Sequence, residues 1–236
     1  MTRFALTGLA GYIAPRHLKA IKEVGGVLVA SLDPATNVGL VDSFFPEAEF
    51  FTEPEAFEAY LEDLRDRGEG VDYLSIASPN HLHYPQIRMA LRLGANALSE
   101  KPLVLWPEEI EARTGRRVYT VLQLRVHPSL LALKERLGQE KGAKDVVLTY
   151  VTGRGKWYGK SWKVDEAKSG GLATNIGIHF FDLLAWLFGR ALHVEVHART
   201  PTVNAGYLEL EGARVRWFLS IDPSFVPEPL RRQGKR

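Results

Sequence analysis

Phe4-Ala5-Leu6-Thr7-Gly8-Leu9-Ala10-Gly11-Tyr12-Ile13-Ala14 decides how the rest of the chain is read. A short apolar strand runs straight into two glycines. Residues 15–24 then carry Leu18, Ile21 and Val24 on one helical face, and Gly25-Gly26 stops the helix. Strand, glycine-rich turn and helix, in that order, are the setting of a dinucleotide site. Glycines let the backbone approach a pyrophosphate, and the N-terminus of the helix favours its negative charge. The spacing is Gly-x-x-Gly-x-x-Ala, looser than the strict fingerprint, so a tight turn without a ligand is the competing reading.

Working outward, residues 27–32 form a buried-strand run that ends in Asp33. A carboxylate about 20 residues beyond the glycines is where such folds hold the adenosine ribose. Asp33 would repel a 2′-phosphate and no arginine follows it, which favours NAD over NADP. Residues 50–52 and 71–77 read as further strands. Residues 54–67 read as a helix with Phe57, Tyr60, Leu61 and Leu64 on one face, and 85–93 as another. Residues 95–98 then lead into Ser99-Glu100-Lys101-Pro102. Alternating strands and helices predict a doubly wound parallel sheet. Ligands of such sheets bind at the carboxyl ends of the strands, where Gly8, Asp33, Ser78, Asn80 and Lys101 all fall. Proline restricts Lys101 towards extended geometry, which holds its ammonium in place. Gly11, Tyr12, Ile13, His83 and Glu100 complete the expected cofactor set. His83 is expected either to line the nicotinamide end or to bond within its turn. His81 and His83 lack a further ligand nearby, so no metal is expected.

The second half changes character. Residues 118–125 read as a strand, and a helix follows from Pro128. Residues 146–151 form another strand. The stretch from Gly153 to Lys168 interleaves Arg154, Lys156, Lys160, Lys163 and Lys168 with Trp157, Tyr158 and Trp162. Cations take phosphate and flat rings stack, so the loop suits a nucleotide-like ligand. A subunit interface is the main competing reading, and stacking of single-stranded nucleic acid bases the lesser one. Residues 172–188 read as one long helix in which Asn175 and His179 share a face and Asp182 follows on the same side. In isolation His179 reads as a core histidine bonded to Asp182. Three alternating strands close the sequence at 194–200, 206–210 and 214–221.

The chain has 236 residues, a net charge of +2 and no cysteine. That composition excludes disulfides and thiolate chemistry, and it implies no bulk attraction to nucleic acid or membrane. No run of about 18 consecutive apolar residues occurs. Without an n-region and h-region at the start, a cytoplasmic location is expected. Arginine outnumbers lysine and thermolabile residues are few, a weak mark of heat adaptation.

Taken together, the Gly8-to-Ala14 turn with His17, Ser78-Pro79-Asn80 with His83, Glu100-Lys101-Pro102 and the helix from Gly171 to Asp182 resemble the glucose–fructose oxidoreductase/inositol dehydrogenase (Gfo/Idh/MocA) family. Within it the chain is similar to the branch that oxidises UDP-2-acetamido-2-deoxyglucuronate at C3 for surface polysaccharide (lipopolysaccharide O-antigen). Residues 11–17, Gln123 to Pro128, Lys156-Trp157-Tyr158 and Ser161-Trp162-Lys163 carry that finer likeness.

The resemblance implies an α/β chain of two domains. A Rossmann domain is expected over 1–118, and over 119–236 an α+β domain on a mostly antiparallel open sheet that joins subunits into a homo-oligomer, a dimer or a tetramer. It implies that His179 and Lys101 act on the sugar hydroxyl, with Asn175 where many relatives carry aspartate. Lys101, Arg125, Arg154, Lys156, Tyr158, Trp162, Lys163, Asn175 and His179 are the expected substrate contacts. Some relatives recycle bound cofactor with 2-oxoglutarate. A free polyol or aldose substrate, and a non-catalytic NAD-binding module, are the alternatives. Relatives also have a longer helix before Thr114-Gly115-Arg116 and further elements after the position of Arg236, so missing residues are expected at both places.

Overall fold

The computed structural model describes residues 1–36, 39–109 and 116–228. The expectation of a shortened helix before Thr114-Gly115-Arg116 falls largely on 110–115, outside the described residues. The chain divides into two compact units, Met1–Val121 and Leu122–Arg236.

In the first unit, β1 (Arg3–Thr7), β2 (Val27–Leu32), β3 (Glu49–Phe51), β4 (Tyr73–Ile76), β5 (Asn96–Ser99) and β6 (Val118–Thr120) alternate with helices. These helices are α1 (Ala14–Glu23), α2 (Leu40–Phe44), α3 (Pro54–Asp66) and α4 (His83–Arg92). The sheet order is β3-β2-β1-β4-β5-β6 and every pairing is parallel. Successive residues of a strand point to opposite faces. In β1, Leu6 therefore packs with Leu18 and Ile21 of α1, while Ala5 packs with Phe57, Leu61 and Leu64 of α3. Strand order turns back between β1 and β4, and that switch point opens a crevice at the carboxyl ends.

Two features depart from the sequence reading. Residues 118–125 do not make one strand. Only Val118–Thr120 pairs, along β5, and Gln123–Val126 closes into a short 3-10 turn. The division between units therefore falls after residue 121. Helix α2 carries no legible period in five residues and is held by Val41, which is buried with Leu18 and Leu28.

The second unit contains α5 (Pro128–Gln139), β7 (Lys144–Val151), α6 (Glu166–Ser169), α7 (Ile178–Phe188), β8 (Ala191–Arg199), β9 (Val203–Leu210) and β10 (Ala213–Ser220). Its sheet order is β7-β10-β9-β8. The β8, β9 and β10 neighbours are antiparallel, and β7 runs parallel to β10. Leu208, Leu210, Val215, Trp217 and Leu219 line the inner face, against Leu172, Ile176 and Leu184. Arg214 and Arg216 alternate with them on the exposed face. By length and composition alone, the helical stretch Glu166–Phe188 could cross a membrane. Of its apolar residues, Leu172, Ile176 and Leu184 are buried in a core with β9 and β10, and Phe180, Phe181 and Phe188 pack against it. Within that stretch Ala173–Gly177 is a π turn.

Candidate functional site

The glycine turn is built by its neighbours. Gly8 has φ +80°, a conformation that favours glycine, and an added Cβ would lie 2.4 Å from the carbonyl carbon of Ala77. The turn is thereby pressed onto the end of β4. Gly11 N–H donates to the Gly8 carbonyl at 3.0 Å, and Ala14 N–H to Gly11 at 3.1 Å. Asp33, buried at the end of β2, accepts from Ala10 N–H at 2.8 Å and from Ala35 N–H at 2.9 Å. A carboxylate offers about four acceptor positions, so capacity remains for ribose hydroxyls. Tyr12 stands outside the turn with 89% of its surface exposed, and Ile13 packs against the α1 core.

At the end of β4, Ser78 Oγ donates to Gln86 Oε1 at 2.6 Å, and Thr7 Oγ1 donates to the same oxygen at 2.8 Å. Asn80 is buried at the head of a 3-10 turn, Asn80–Leu82. His83 is buried beneath it. Its Nδ1 lies 2.6 Å from the Pro102 carbonyl and its Nε2 2.9 Å from the Ser78 carbonyl. Both nitrogens therefore face backbone, which is the bonded-in-the-turn alternative. Burial, aided by the charge of Lys101, holds the His83 pKa below the ordinary histidine value, against the two carbonyls and Glu100.

At the end of β5, Glu100 approaches His17 of α1, with Oε1 3.1 Å from Nε2, and His17 Nδ1 lies 2.7 Å from Ser75 Oγ. Burial would raise the Glu100 pKa, but the hydrogen bond and charge of His17, and the charge of Lys101, bring it below the ordinary glutamate value. Lys101 follows, half-buried, joined to buried Pro102 by a cis peptide bond. Gly8, Gly11, Asp33, Ser78, Asn80, Glu100 and Lys101 thus gather at one edge of the first sheet. Sequence reading assigned no site role to His17, Ser75 or Gln86. A polar residue on the inward face of α1 or α4 is the signal that marks His17 and Gln86, and a serine inside the apolar strand β4 the one that marks Ser75.

In the second unit, two of the loop cations, Lys163 and Arg154, lie on rings, while Lys168 lies 3.7 Å from Asp165. Lys163 Nζ is 5.4 Å from the Trp157 ring centroid and 5.7 Å from that of Trp162, and Arg154 is 5.6 Å from Tyr158. Burial and nearby Arg154 lower the Lys163 pKa. Tyr158 is buried, whereas Arg154 and Lys156 are exposed. Asp182 does not serve His179 as sequence spacing suggests. It receives a two-pronged bond from Arg125, Nε to Oδ2 at 2.8 Å and Nη2 to Oδ1 at 2.5 Å, and this bond raises the Arg125 pKa. Asn175 is buried in the π turn, and His179 is half-buried one turn on, at the start of α7. Among the described residues no group of three or more histidine, cysteine or carboxylate side chains could hold a metal ion.

A doubly wound parallel sheet with a glycine turn, a buried carboxylate and a lysine at its strand ends is the architecture of a Rossmann unit. Residues 2–115 match the family described as "Oxidoreductase family, NAD-binding Rossmann fold", and 144–223 match its "C-terminal alpha/beta domain". The chain belongs to this Gfo/Idh/MocA oxidoreductase family. It is 98% identical, over all its length and 78% of the other chain, to the WlbA (WbpB) dehydrogenase of Thermus thermophilus, with a TM-score of 0.96. That protein was solved with NAD and α-ketoglutarate, and with NAD and UDP-GlcNAcA. Inositol 2-dehydrogenase of Rhizobium meliloti (strain 1021) is 27% identical over 194 residues, 79% of this chain and 55% of the relative. D-glucoside 3-dehydrogenase of Escherichia coli (strain K12) is 28% identical over 126 residues, 50% of this chain and 36% of the relative. The chain thus spans less than two thirds of the length of these curated relatives.

Proposed function

We propose that the protein oxidises the C3 hydroxyl of UDP-N-acetylglucosaminuronic acid to the ketone, with NAD as the oxidant. The observation that carries this reading is the 98% identity to an enzyme solved with both NAD and UDP-GlcNAcA. The first-unit geometry fits the cofactor. Gly8 and Gly11 leave room for a pyrophosphate, Asp33 keeps acceptors for the ribose, and its charge disfavours a 2′-phosphate. NAD, when bound, supplies the acceptor for the hydride that leaves C3. His179 takes the hydroxyl proton as general base, and Lys101 orients the oxygen and stabilises its developing negative charge. Asn175 holds the sugar beside His179.

Arg154, Lys156 and Lys163 meet the anionic groups, and Tyr158 and Trp162 offer faces to the ring systems. Arg125 contributes with the N–H groups it does not spend on Asp182. The NADH formed stays bound and is re-oxidised by 2-oxoglutarate, which takes up the hydride and a proton to become 2-hydroxyglutarate, in line with the complex of the Thermus thermophilus protein with NAD and α-ketoglutarate. The reaction serves surface-polysaccharide synthesis in the cytoplasm, and the exposed face of the second sheet joins copies of the chain into a homo-oligomer.

Mixing the protein with NAD and UDP-N-acetylglucosaminuronic acid tests the reading through nicotinamide absorbance. Growth of the reduced signal with the sugar, and its decline when 2-oxoglutarate is then added, is the expected result. No reduced signal in the absence of 2-oxoglutarate overturns it. The likeness to inositol 2-dehydrogenase favours a second reading, a free polyol substrate. Tight binding of inositol with none of UDP would select it.

A further inference from the structure

Lys101 lies between two residues that are each gripped by a histidine from a different helix. On its N-terminal side, the Glu100 carboxylate meets His17 of α1 at 3.1 Å. On its C-terminal side, the Pro102 carbonyl meets His83 of α4 at 2.6 Å. Both histidines are buried, with 8% and 1% of their surface exposed.

The bonding fixes which nitrogen carries the proton. An ionised carboxylate only accepts, so His17 donates to Glu100 from Nε2 and, in the neutral ring, accepts the Ser75 hydroxyl at Nδ1. The carbonyls of Pro102 and Ser78 both only accept, so a neutral His83 donates to one of them, and the shorter contact, 2.6 Å against 2.9 Å, favours Nδ1 donating to Pro102. Both nitrogens of each ring face protein atoms. Ser75 lies on β4, so His17 ties the β5 end to β4, while the ring of His83 fills the space between the Pro102 and Ser78 carbonyls.

We propose that His17 and His83 are positioning residues that set the path of the backbone on either side of Lys101 and so aim its ammonium at the reacting oxygen. This rests on the role given to Lys101 above. Displacing a reacting group by about 1 Å can cost on the order of a hundredfold in rate without weakening substrate binding.

The test compares wild type with His17→Leu, His17→Gln, His83→Leu and His83→Gln. NAD-binding sites are counted in each preparation, so that kcat is expressed per folded site. The leucine variants are expected to lose about tenfold or more in kcat. Their KM for UDP-N-acetylglucosaminuronic acid should stay within about twofold of wild type, and glutamine, which still donates from its amide, should restore part of the loss. A per-site kcat within twofold of wild type in both leucine variants overturns the proposal. A rise in KM equal to the fall in kcat/KM does so too.

Should the leucine variants yield no NAD sites, Ser75→Ala takes their place. It removes only the anchor of His17. A threefold or larger fall in per-site kcat supports the proposal, and an unchanged kcat overturns it. Wild type that makes no NADH from this sugar refutes the function, not the bracket. Amide hydrogen exchange over 99–103 then decides: exchange at least tenfold faster in the glutamine or leucine variants supports it, and unchanged exchange overturns it.

Discussion

The strand-end cluster of the first unit and the cationic loop of the second are both polar, yet they are held in different ways. Around Lys101 and Asp33, hydrogen bonds run to backbone and to buried side chains from several elements. In the loop from Gly153 to Lys168, Arg154 and Lys163 rest on aromatic faces, and Lys156 and Trp157 are open to solvent. Buried hydrogen bonds lock geometry, because breaking one strands a desolvated group. Cation–π contacts at the surface are worth only about 0.5–1 kcal/mol and somewhat more where, as at Lys163, the cation is partly buried, less than a buried charged hydrogen bond costs to break. On the proposed function, the first region suits chemistry that tolerates no displacement and the second suits capture of an anion.

Substitutions at the two regions should therefore differ in kind. The largest effect is expected at Lys101. Lys101→Ala should cost on the order of a thousandfold in kcat while NAD binding, measured by fluorescence quenching, stays intact. Loss of both together would make the residue a structural one.

Next comes Gly8→Ala. The added Cβ would collide with the Ala77 backbone at a positive φ, so NAD affinity should fall by about a hundredfold or the unit should fail to fold. Calorimetric titration with NAD checks this, and unchanged affinity would mean that the turn lies off the cofactor path.

Smaller again, Lys163→Ala should weaken UDP binding by roughly tenfold and leave NAD binding alone, with a shallower salt dependence. An equal loss for both ligands would erase the contrast between the regions.

The smallest expected effect is on stability against pH. Burial lowers the His83 pKa from its ordinary value of 6.5. The unfolded chain therefore takes up that proton more readily than the folded one. The stability this histidine contributes is complete above pH 6.5 and is lost as pH falls below that value. Glu100, lowered from 4.5, contributes stability that is present above 4.5 and lost as pH drops through its folded value. Acid should thus lower Tm in two stages, by a few degrees each. In His83→Gln the upper stage should vanish. A single stage in wild type would place the titration elsewhere.

The two regions also differ in how well the sequence announces them. The parallel sheet was legible because Gly8, Asp33, Ser78 and Lys101 all end strands whose apolar runs are local. The NAD-binding fold follows from that local pattern. The partners of those residues were not legible. His17 meets Glu100 across 83 positions and Arg125 meets Asp182 across 57, and tertiary packing alone brings such pairs together. Spacing along a helix placed Asp182 beside His179. The π turn at Ala173–Gly177 changes only the spacing between Asn175 and His179, since His179 and Asp182 both lie within α7; Asp182 is taken up by the fork of Arg125, which matches a carboxylate better than one imidazole nitrogen does. The rings beneath Lys163 and Arg154 were visible as interleaved residue types, but which ring carries which cation was not.

The most direct test of the account is a single turnover with UDP-N-acetylglucosaminuronic acid carrying deuterium at C3. The label should appear in the reduced nicotinamide, and the reaction should slow in wild type relative to unlabelled sugar. Deuterium that stays on the sugar while NADH forms would contradict oxidation at C3. NADH formation that persists undiminished in Lys101→Ala would contradict the place given to the strand-end lysine.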